Sequence, residues 1–458
     1  MNQRRKPNVV VFFTDQQRWD TVGAHGNPLN LTPNFDRIAR EGTFLENMFT
    51  CQPVCSPARS CLQTGLYATS TGVFKNHLPL DENAETIARL FRSEGYHTGY
   101  IGKWHLGGGN MGFYGGQEPV PEKRRGGYQY WMAADAPEFI SDAYNTVLFD
   151  KDNNEVKLPG YRVDATVDES IRFIKNHQHE PFFLFLSLLE PHHQNHTDSY
   201  PAPIGYEARY RGSWIPPDLD SLGGTSSQHL PGYYGMIKRL DEAFGRLLDA
   251  VKSLEISDNT VVLFTSDHGN HFKTRNDEYK RSCHESSVRT PAALTGPGFK
   301  GGGTIGNLIS LVDMAPTLLD VAGIPAPSSM QGRSILPLVQ RQTDHWPDEI
   351  FIQISESQVG RAIRNRRWKY SVYSPDSNGF EETKSQTYVE QYLYDLKYDP
   401  YELTNLVGFD SHRALSDKLK GRLLRRIQEV EKENPEIIDA DITRDPGQRI
   451  VRESEYDD

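Results

Sequence analysis

The chain has 458 residues, a formal net charge of −11, and 24% charged against 37% hydrophobic residues. That acidity argues against a general nucleic-acid-binding surface, and no apolar run approaches the roughly 20 residues that a membrane span requires. Four cysteines (Cys51, Cys55, Cys61, Cys283) are too few for a disulfide scaffold.

The chain opens on MNQRRKPNVVVFFTD, whose apolar run stops at Asp15 with no small-residue cleavage site after it. It reads as a buried strand over 8–15 rather than a secretion signal, and the sequence names no compartment. A helix follows over 31–42, with Thr32 as cap, Pro33 in the first turn and Gly42 as stop. Helical periodicity recurs over 82–95, 164–177 and 234–254. Two further apolar runs, PFFLFLSLLEPH (181–192) and NTVVLFTSDHG (259–269), read as buried strands of an α/β sheet. All three strands end on groups able to do chemistry: Asp15, His192, and Asp267 with His268. Ligand sites of open α/β sheets lie beyond such carboxyl ends.

The stretch 196–232, rich in Pro, Gly, Tyr and Ser, reads as a long ordered loop over the site. Beyond about residue 340 the pattern changes. FIQIS, GRAIRNRRWKYSVY and QYLYDL alternate like short strands, and 413–435 reads as a charged amphipathic helix. The expected organisation is therefore a catalytic α/β domain over 1–340 and a smaller α+β piece over 341–458 that closes one side of the pocket. The final fifteen or so residues read as a tail, disordered or docked elsewhere.

Cys55 stands in PVCSPARSCLQTG, residues 53–65. Most free cysteines are small buried hydrophobes, and the Cys51–Cys55 spacing lacks a second pair to complete a zinc tetrahedron. Pro57, however, suits the first turn of a helix running through 58–63. Cys55 then falls at a helix N-terminus, where unpaired N–H groups attract an anion, and Arg59 adds a fixed positive charge one turn on.

C-S-P-A-R followed by T-G resembles the signature of the formylglycine-dependent sulfatases of the alkaline-phosphatase-like superfamily. A second signature of that family matches G-Y-H-T-G-Y-I-G-K-W-H at 95–105. The resemblance continues through DQQ near the N-terminus, TSDHG at 265–269, K-x4-E-x3-R-x-P at 280–291, and LYDLKYDPYELTNL near the C-terminus. It implies a large mixed sheet between helices with a small C-terminal sheet domain. It also implies that a formylglycine-generating enzyme oxidises Cys55 to an aldehyde whose hydrate is the nucleophile. One hydroxyl attacks sulfur and the other later expels the sulfate, which splits one hard step into two.

The resemblance also assigns roles. Asp15, Gln16, Asp267 and His268, together with residue 55, would hold one divalent metal, Ca²⁺ before Mn²⁺ or Mg²⁺. Many family members carry a second Asp where Gln16 stands, and Asn where His268 stands. Lys103 would contact the sulfate and His105 the hydrate, with Trp104 packing the other way along an extended segment. Arg59 would orient the hydrate. His192 would protonate the leaving alkoxide, with His193 and His196 either facing substrate or structural. Lys280 would be a second sulfate contact, although Ser286 and Ser287 replace two glycines usual nearby. Tyr128, Tyr130, Trp131, Tyr200, Tyr206, Tyr210 and Trp214, with Arg361, are candidates for substrate selection.

The expectation is a sulfuric ester hydrolase acting on a sulfated carbohydrate, without nucleic-acid or membrane partners. Two rivals stand beside it: a phosphonate monoester or phosphodiester hydrolase (or choline-sulfatase-like enzyme) of the same superfamily, and a sulfated-glycan binder with unmodified Cys55.

Overall fold

The structure is a computed structural model that describes residues 6–109, 118–342, 345–440, 447 and 449. Among the described residues the large sheet has eleven strands. They are β1 (Asn8–Thr14), β2 (Thr43–Phe49), β3 (His97–Lys103), β4 (Tyr130–Ala134), β5 (Thr146–Asp150), β6 (Glu155–Leu158), β7 (Phe182–Ser187), β8 (Thr260–Ser266), β9 (Arg289–Thr290), β10 (Ala293–Thr295) and β11 (Gly303–Ser310). Their order is β11-β2-β10-β8-β1-β7-β3-β4-β5-β6, with β9 on β2. The centre, β8-β1-β7-β3-β4, is parallel. β1, β7 and β8 are buried along their whole length, which is why each reads as an unbroken apolar run.

The main helices are α1 (Pro33–Glu41), α2 (Cys55–Thr64), α3 (Ile87–Ser93), α4 (Arg162–His177), α5 (Ser226–Ser253) and α6 (Arg413–Glu431). The two faces of the sheet bury separate apolar clusters. One includes Val10, Phe12 and Phe264 with Phe244 of α5, and the other Val9, Val11 and Phe13 with Cys61 and Leu62 of α2. The second sheet runs in order β12 (Glu349–Ile354), β13 (Val359–Asn365), β14 (Trp368–Ser374), β15 (Thr387–Asp395) and β16 (Glu436–Ile438). The fold is thus α/β with a mixed sheet, flanking helices and a C-terminal subdomain built on its own sheet.

Several local readings need correction. Thr32 does not cap α1 with its side chain. The Asp241 carboxylate, from α5, accepts instead from the backbone N–H groups of Asn34 (3.0 Å) and Phe35 (2.8 Å), so a tertiary partner satisfies the free helix end. The 82–95 helix shrinks to α3, because Thr86 accepts from Arg89 N–H at 3.3 Å and starts the helix there. The stretch 196–232 is not one loop: it holds the short helices Tyr206–Arg209 and Pro217–Ser221, and α5 begins at Ser226. Pro231 lies inside α5, where it removes one backbone donor, and its presence hid those first two turns. Of the C-terminal tail, Arg449 donates its backbone N–H to the Thr274 carbonyl at 2.9 Å; most of it lies outside the described residues.

Candidate active site

The parallel strands deliver their carboxyl ends to one edge of the sheet, and the site is built there. Thr14 of β1 pairs with Ser266 of β8, so Asp15 and Asp267 follow side by side. Gly102 of β3 pairs with Ser187 of β7, and Lys103 with Ala134 of β4. Gly102 has φ +106°, and a Cβ there would stand 1.9 Å from the Ser187 carbonyl oxygen, so only glycine lets the strands close at this point. Cys55 is the first residue of α2, which is buried throughout.

The Cys55 thiol is the point on which the charged groups converge. Lys280 Nζ lies 2.9 Å from its sulfur, His268 Nε2 3.2 Å, Asp15 Oδ1 3.5 Å and Lys103 Nζ 3.9 Å. Burial, and then the charge of Asp15, push the thiol up to about 12. A protonated thiol is a poor nucleophile.

Arg59 ties the strand ends together. Its guanidinium donates to Asp15 Oδ2 (2.8 Å), Asp267 Oδ2 (3.3 Å), Ser187 Oγ (2.7 Å) and the Lys103 carbonyl (2.9 Å). Lys103 Nζ bridges Asp15 Oδ2 at 3.0 Å and Glu138 Oε1 at 2.8 Å. Burial alone would raise the Asp15 carboxyl, but Lys103, His192, Arg59 and Lys280 together hold it well below the usual range. Asp267 goes the other way: burial and the negative charge of Asp15 lift it to about 7. Two adjacent buried carboxyls whose affinities for a proton are driven apart leave a demand for positive charge between them.

His268 adds a lone pair there, not a charge. Its Nδ1 donates to the Gly269 carbonyl at 2.9 Å, so Nε2 carries a lone pair directed at Asp267 Oδ1 (3.6 Å) and Asp15 Oδ1 (3.8 Å). Ligand atoms of Asp15, Cys55, Asp267 and His268 all lie within 4.8 Å of one another, and all four residues are buried. Two carboxylates and one imidazole with its lone pair presented form a donor set that fits a divalent cation. Gln16 lines the cavity at φ +66°, and its Oε1 accepts from the His193 N–H at 3.1 Å.

His192 Nδ1 donates to the His193 carbonyl at 2.6 Å, which leaves Nε2 to accept from Lys280 Nζ at 3.3 Å. His105 lines the cavity at φ +56°, and both its ring nitrogens are buried without a hydrogen-bond partner. Trp104 packs the other way, edge-on to Tyr100 and Trp131 in the core. Lys280 reaches its place despite Ser286 and Ser287. Those residues turn through a short helix whose carbonyls accept from the backbone N–H groups of Asn270 and Gly269, both at 2.7 Å.

Of these groups, Gln16, Cys55, His105, His192 and Lys280 line a cavity of about 440 Å³. Its wall also contains His77, Glu138, Lys273 and Tyr279, none of which sequence reasoning singled out. Glu138 lies in the turn after β4; the strand-end rule applied to YWMAADAPEF points to that turn but first to Asp135, which accepts from the Gly107 N–H instead. The proposed substrate-selecting aromatics do not line this cavity. Tyr128 and Trp131 are core residues, Tyr130 bonds Glu169, and Tyr200 packs on Tyr233 and Phe272. Tyr206 bonds Glu242, Tyr210 packs against Tyr234, and the Trp214 carbonyl accepts from Tyr234. Arg361 is 1% exposed and paired with Glu431 at 2.7 Å. Large aromatic area is drawn into the core at Tyr128, Trp131 and Tyr200, while Tyr130, Tyr206, Tyr210 and Trp214 stay half-buried on other partners. His193 faces the cavity, whereas His196 is an exposed partner of Asp142 at 2.9 Å. From the connection between β12 and β13, Glu356 pairs with Arg281 of the cavity wall at 2.5 Å. All four cysteines are free, so the Cys51–Cys55 spacing marks no disulfide.

A site with this layout at the carboxyl edge of a mixed α/β sheet defines a hydrolase of the alkaline-phosphatase-like type. The sulfatase family model matches residues 7–324, and the model described as N-sulphoglucosamine sulphohydrolase, C-terminal, matches 277–429. The chain belongs to the sulfatase family and is a sulfuric ester hydrolase. The ulvan-active sulfatase of Formosa agariphila is 30% identical, covering 93% of this chain and 82% of that protein. An arylsulfatase of Clostridium perfringens is 29% identical over 92% of this chain and 95% of its own length. A solved structure in complex with its substrate D-glucosamine-2-N,6-O-disulfate shares the fold, with TM-score 0.75, 22% identity, and coverage of 94% and 99%. No helix among the described residues is long and apolar enough to cross a membrane.

Proposed function

We propose that the enzyme removes sulfate from a sulfated carbohydrate, with residue 55 as the seat of the nucleophile. One observation carries the reading: Lys280, Lys103, His268 and Asp15 all converge on position 55 at the base of the cavity. Ulvan and a glucosamine disulfate, named for two similar proteins, are both sulfated sugars. Formylglycine at position 55, made by a formylglycine-generating enzyme, would supply a hydrated aldehyde in place of the inert thiol. The two orphaned nitrogens of His105 are suited to hold its hydroxyls. Asp15, Asp267, His268 and the Gln16 amide would hold a divalent cation, calcium by the count of oxygen donors, which would polarise the sulfuryl oxygens.

The chain's own residues do the rest. Lys280 and Lys103 present ammonium N–H groups on either side of position 55, where negative charge accumulates on the sulfuryl oxygens. Lys280 makes no ion pair with a carboxylate among the described residues, so its charge is available to an anion. The His192–His193 carbonyl bond fixes the ring so that Nε2 faces the reacting groups. Burial and the Lys280 ammonium keep the ring neutral in the free enzyme, its pKa well below the ordinary range. The negative charge of a bound sulfate ester favours a proton at Nε2, which then passes to the departing sugar oxygen. Arg59 positions Asp15 and Asp267. A division at residue 340 belongs to the same proposal, supported by the second sheet starting at Glu349.

The test pairs two measurements on protein from the native host. The mass of the peptide spanning 53–65 is expected to show an aldehyde or its hydrate at position 55. Sulfate release from sulfated mono- and oligosaccharides is expected to exceed turnover of a phosphonate monoester or phosphodiester. A plain thiol in active protein, or faster phosphonate turnover, overturns the reading. Metal analysis of the same sample decides calcium against manganese or magnesium.

A further inference from the structure

A second set of metal-ligating side chains stands at the cavity wall, and the hydrolytic reading gives it no role. His193 follows the turn after β7, Asp198 ends the short helical turn Asn195–Thr197, and His229 sits in the first turns of α5. One ligand atom from each lies within 4.8 Å of the others. His193 Nε2 and Asp198 Oδ1 are 2.8 Å apart, and the Tyr279 hydroxyl donates to the same carboxylate oxygen at 3.2 Å.

His229 is what hydrogen bonding within this cluster leaves unexplained. It is 4% exposed, yet its Nε2 is buried with no partner. The rings of Tyr200, His193 and Tyr279 enclose it, with centroids 5.4, 5.8 and 6.2 Å away, which denies it a simple swing to water. A buried nitrogen aimed at a carboxylate–imidazole pair is an unmet demand.

We propose that His193, Asp198 and His229 form a second metal site, separate from the one at Asp15 and Asp267, which takes Zn²⁺ or a similar borderline divalent cation. Two imidazole nitrogens and one carboxylate oxygen suit zinc and disfavour calcium or magnesium, which prefer all-oxygen shells. Three protein ligands leave a position open toward the cavity, and Tyr279 holds the carboxylate in place as an outer partner. Lys273 is the opposing charge. It lines the same wall with its ammonium 5.0 Å from the Tyr279 ring centroid. A bound cation would pin the turn carrying His192 to α5.

The test is zinc binding by the full-length protein in excess calcium, which keeps the first site filled, read by calorimetry and by metal content after dialysis. One zinc per chain is expected. His229→Gln and Asp198→Asn are each expected to weaken it by about tenfold or more. Lys273→Met should tighten it, and Asp15→Asn should retain it. Asp198 has 62% of its side chain exposed, so its variant keeps the test valid if His229→Gln misfolds. No zinc at one per chain, equal binding in both ligand variants, or loss of zinc in Asp15→Asn overturns the proposal. None of these outcomes bears on the hydrolytic reading.

Discussion

Two buried ionic clusters occupy this molecule, and they are put together in opposite ways. Between the large domain and the C-terminal sheet, Lys369 pairs with Glu285 at 2.9 Å and with Glu402 at 2.6 Å, and Arg364 reaches Glu285 at 3.4 Å. Burial alone would raise Glu285, but Arg364, Lys369 and Arg289 hold it down at about 2. In that cluster every charge has an opposite charge within ion-pair distance, although burial and Glu285 raise Glu402. The cluster around Cys55 is open. Lys280 has sulfur and an imidazole beside it instead of a carboxylate, Asp267 is pushed up to about 7, and Glu138 Oε2 and both His105 nitrogens are unpartnered. Unanswered buried charge is costly and persists where a ligand completes it. A closed network fastens two parts of a chain together; an open one leaves charge for a ligand to answer.

Substitutions can break this contrast. Lys369→Met leaves two glutamates facing each other, and the expected cost is about 3–5 kcal/mol in denaturant unfolding. An effect of the same size on catalysis with stability unchanged would reverse the assignment of the two clusters. Lys280→Ala is expected to do the opposite: sulfate release falls about a hundred- to a thousandfold, while stability holds or rises because an unpaired buried cation is gone. Equal losses in stability and activity would make Lys280 a structural residue. His192→Gln sharpens the picture further. Alkyl or sugar sulfates should slow by about a hundredfold, but an aryl sulfate with a good leaving group much less, a comparison read from relative kcat. Identical losses on both substrates would exclude proton donation by His192. The smallest effect belongs to Tyr206→Phe, which removes a bond to Glu242 on the outer face of α5. It should change kcat/KM by less than about twofold and stability by under about 1 kcal/mol; a marked change of substrate preference would restore Tyr206 to the binding surface.

Much of the site was legible because its chemistry sits on short, stiff pieces of chain. Asp15 and Asp267 each end a strand whose apolar run is unmistakable, and α2 starts at Cys55, where the Pro57 pattern puts a helix end. Lys103 and His105 bracket Trp104 on one extended segment, and Trp104 does turn into the core. The wall of the cavity was much less legible. Glu138, Tyr279, Lys273 and Asp198 stand in irregular segments where residue type carries little positional information. Of the aromatic residues chosen in their stead, Tyr128, Trp131 and Tyr200 were claimed by the core and the others pack half-buried away from the cavity.

The sequence by itself determined the central strands β1, β7 and β8, the fold class and the pieces of the candidate site, because strand burial and the two signatures are local properties of consecutive residues. Tertiary structure alone decided how those pieces meet. The parallel register sets Asp15 beside Asp267, a remote carboxylate at Asp241 rather than Thr32 satisfies the start of α1, and the 193–198 turn meets α5 at His229. Such meetings depend on packing and backbone hydrogen bonding between segments far apart in the chain, and no short window of residues encodes them.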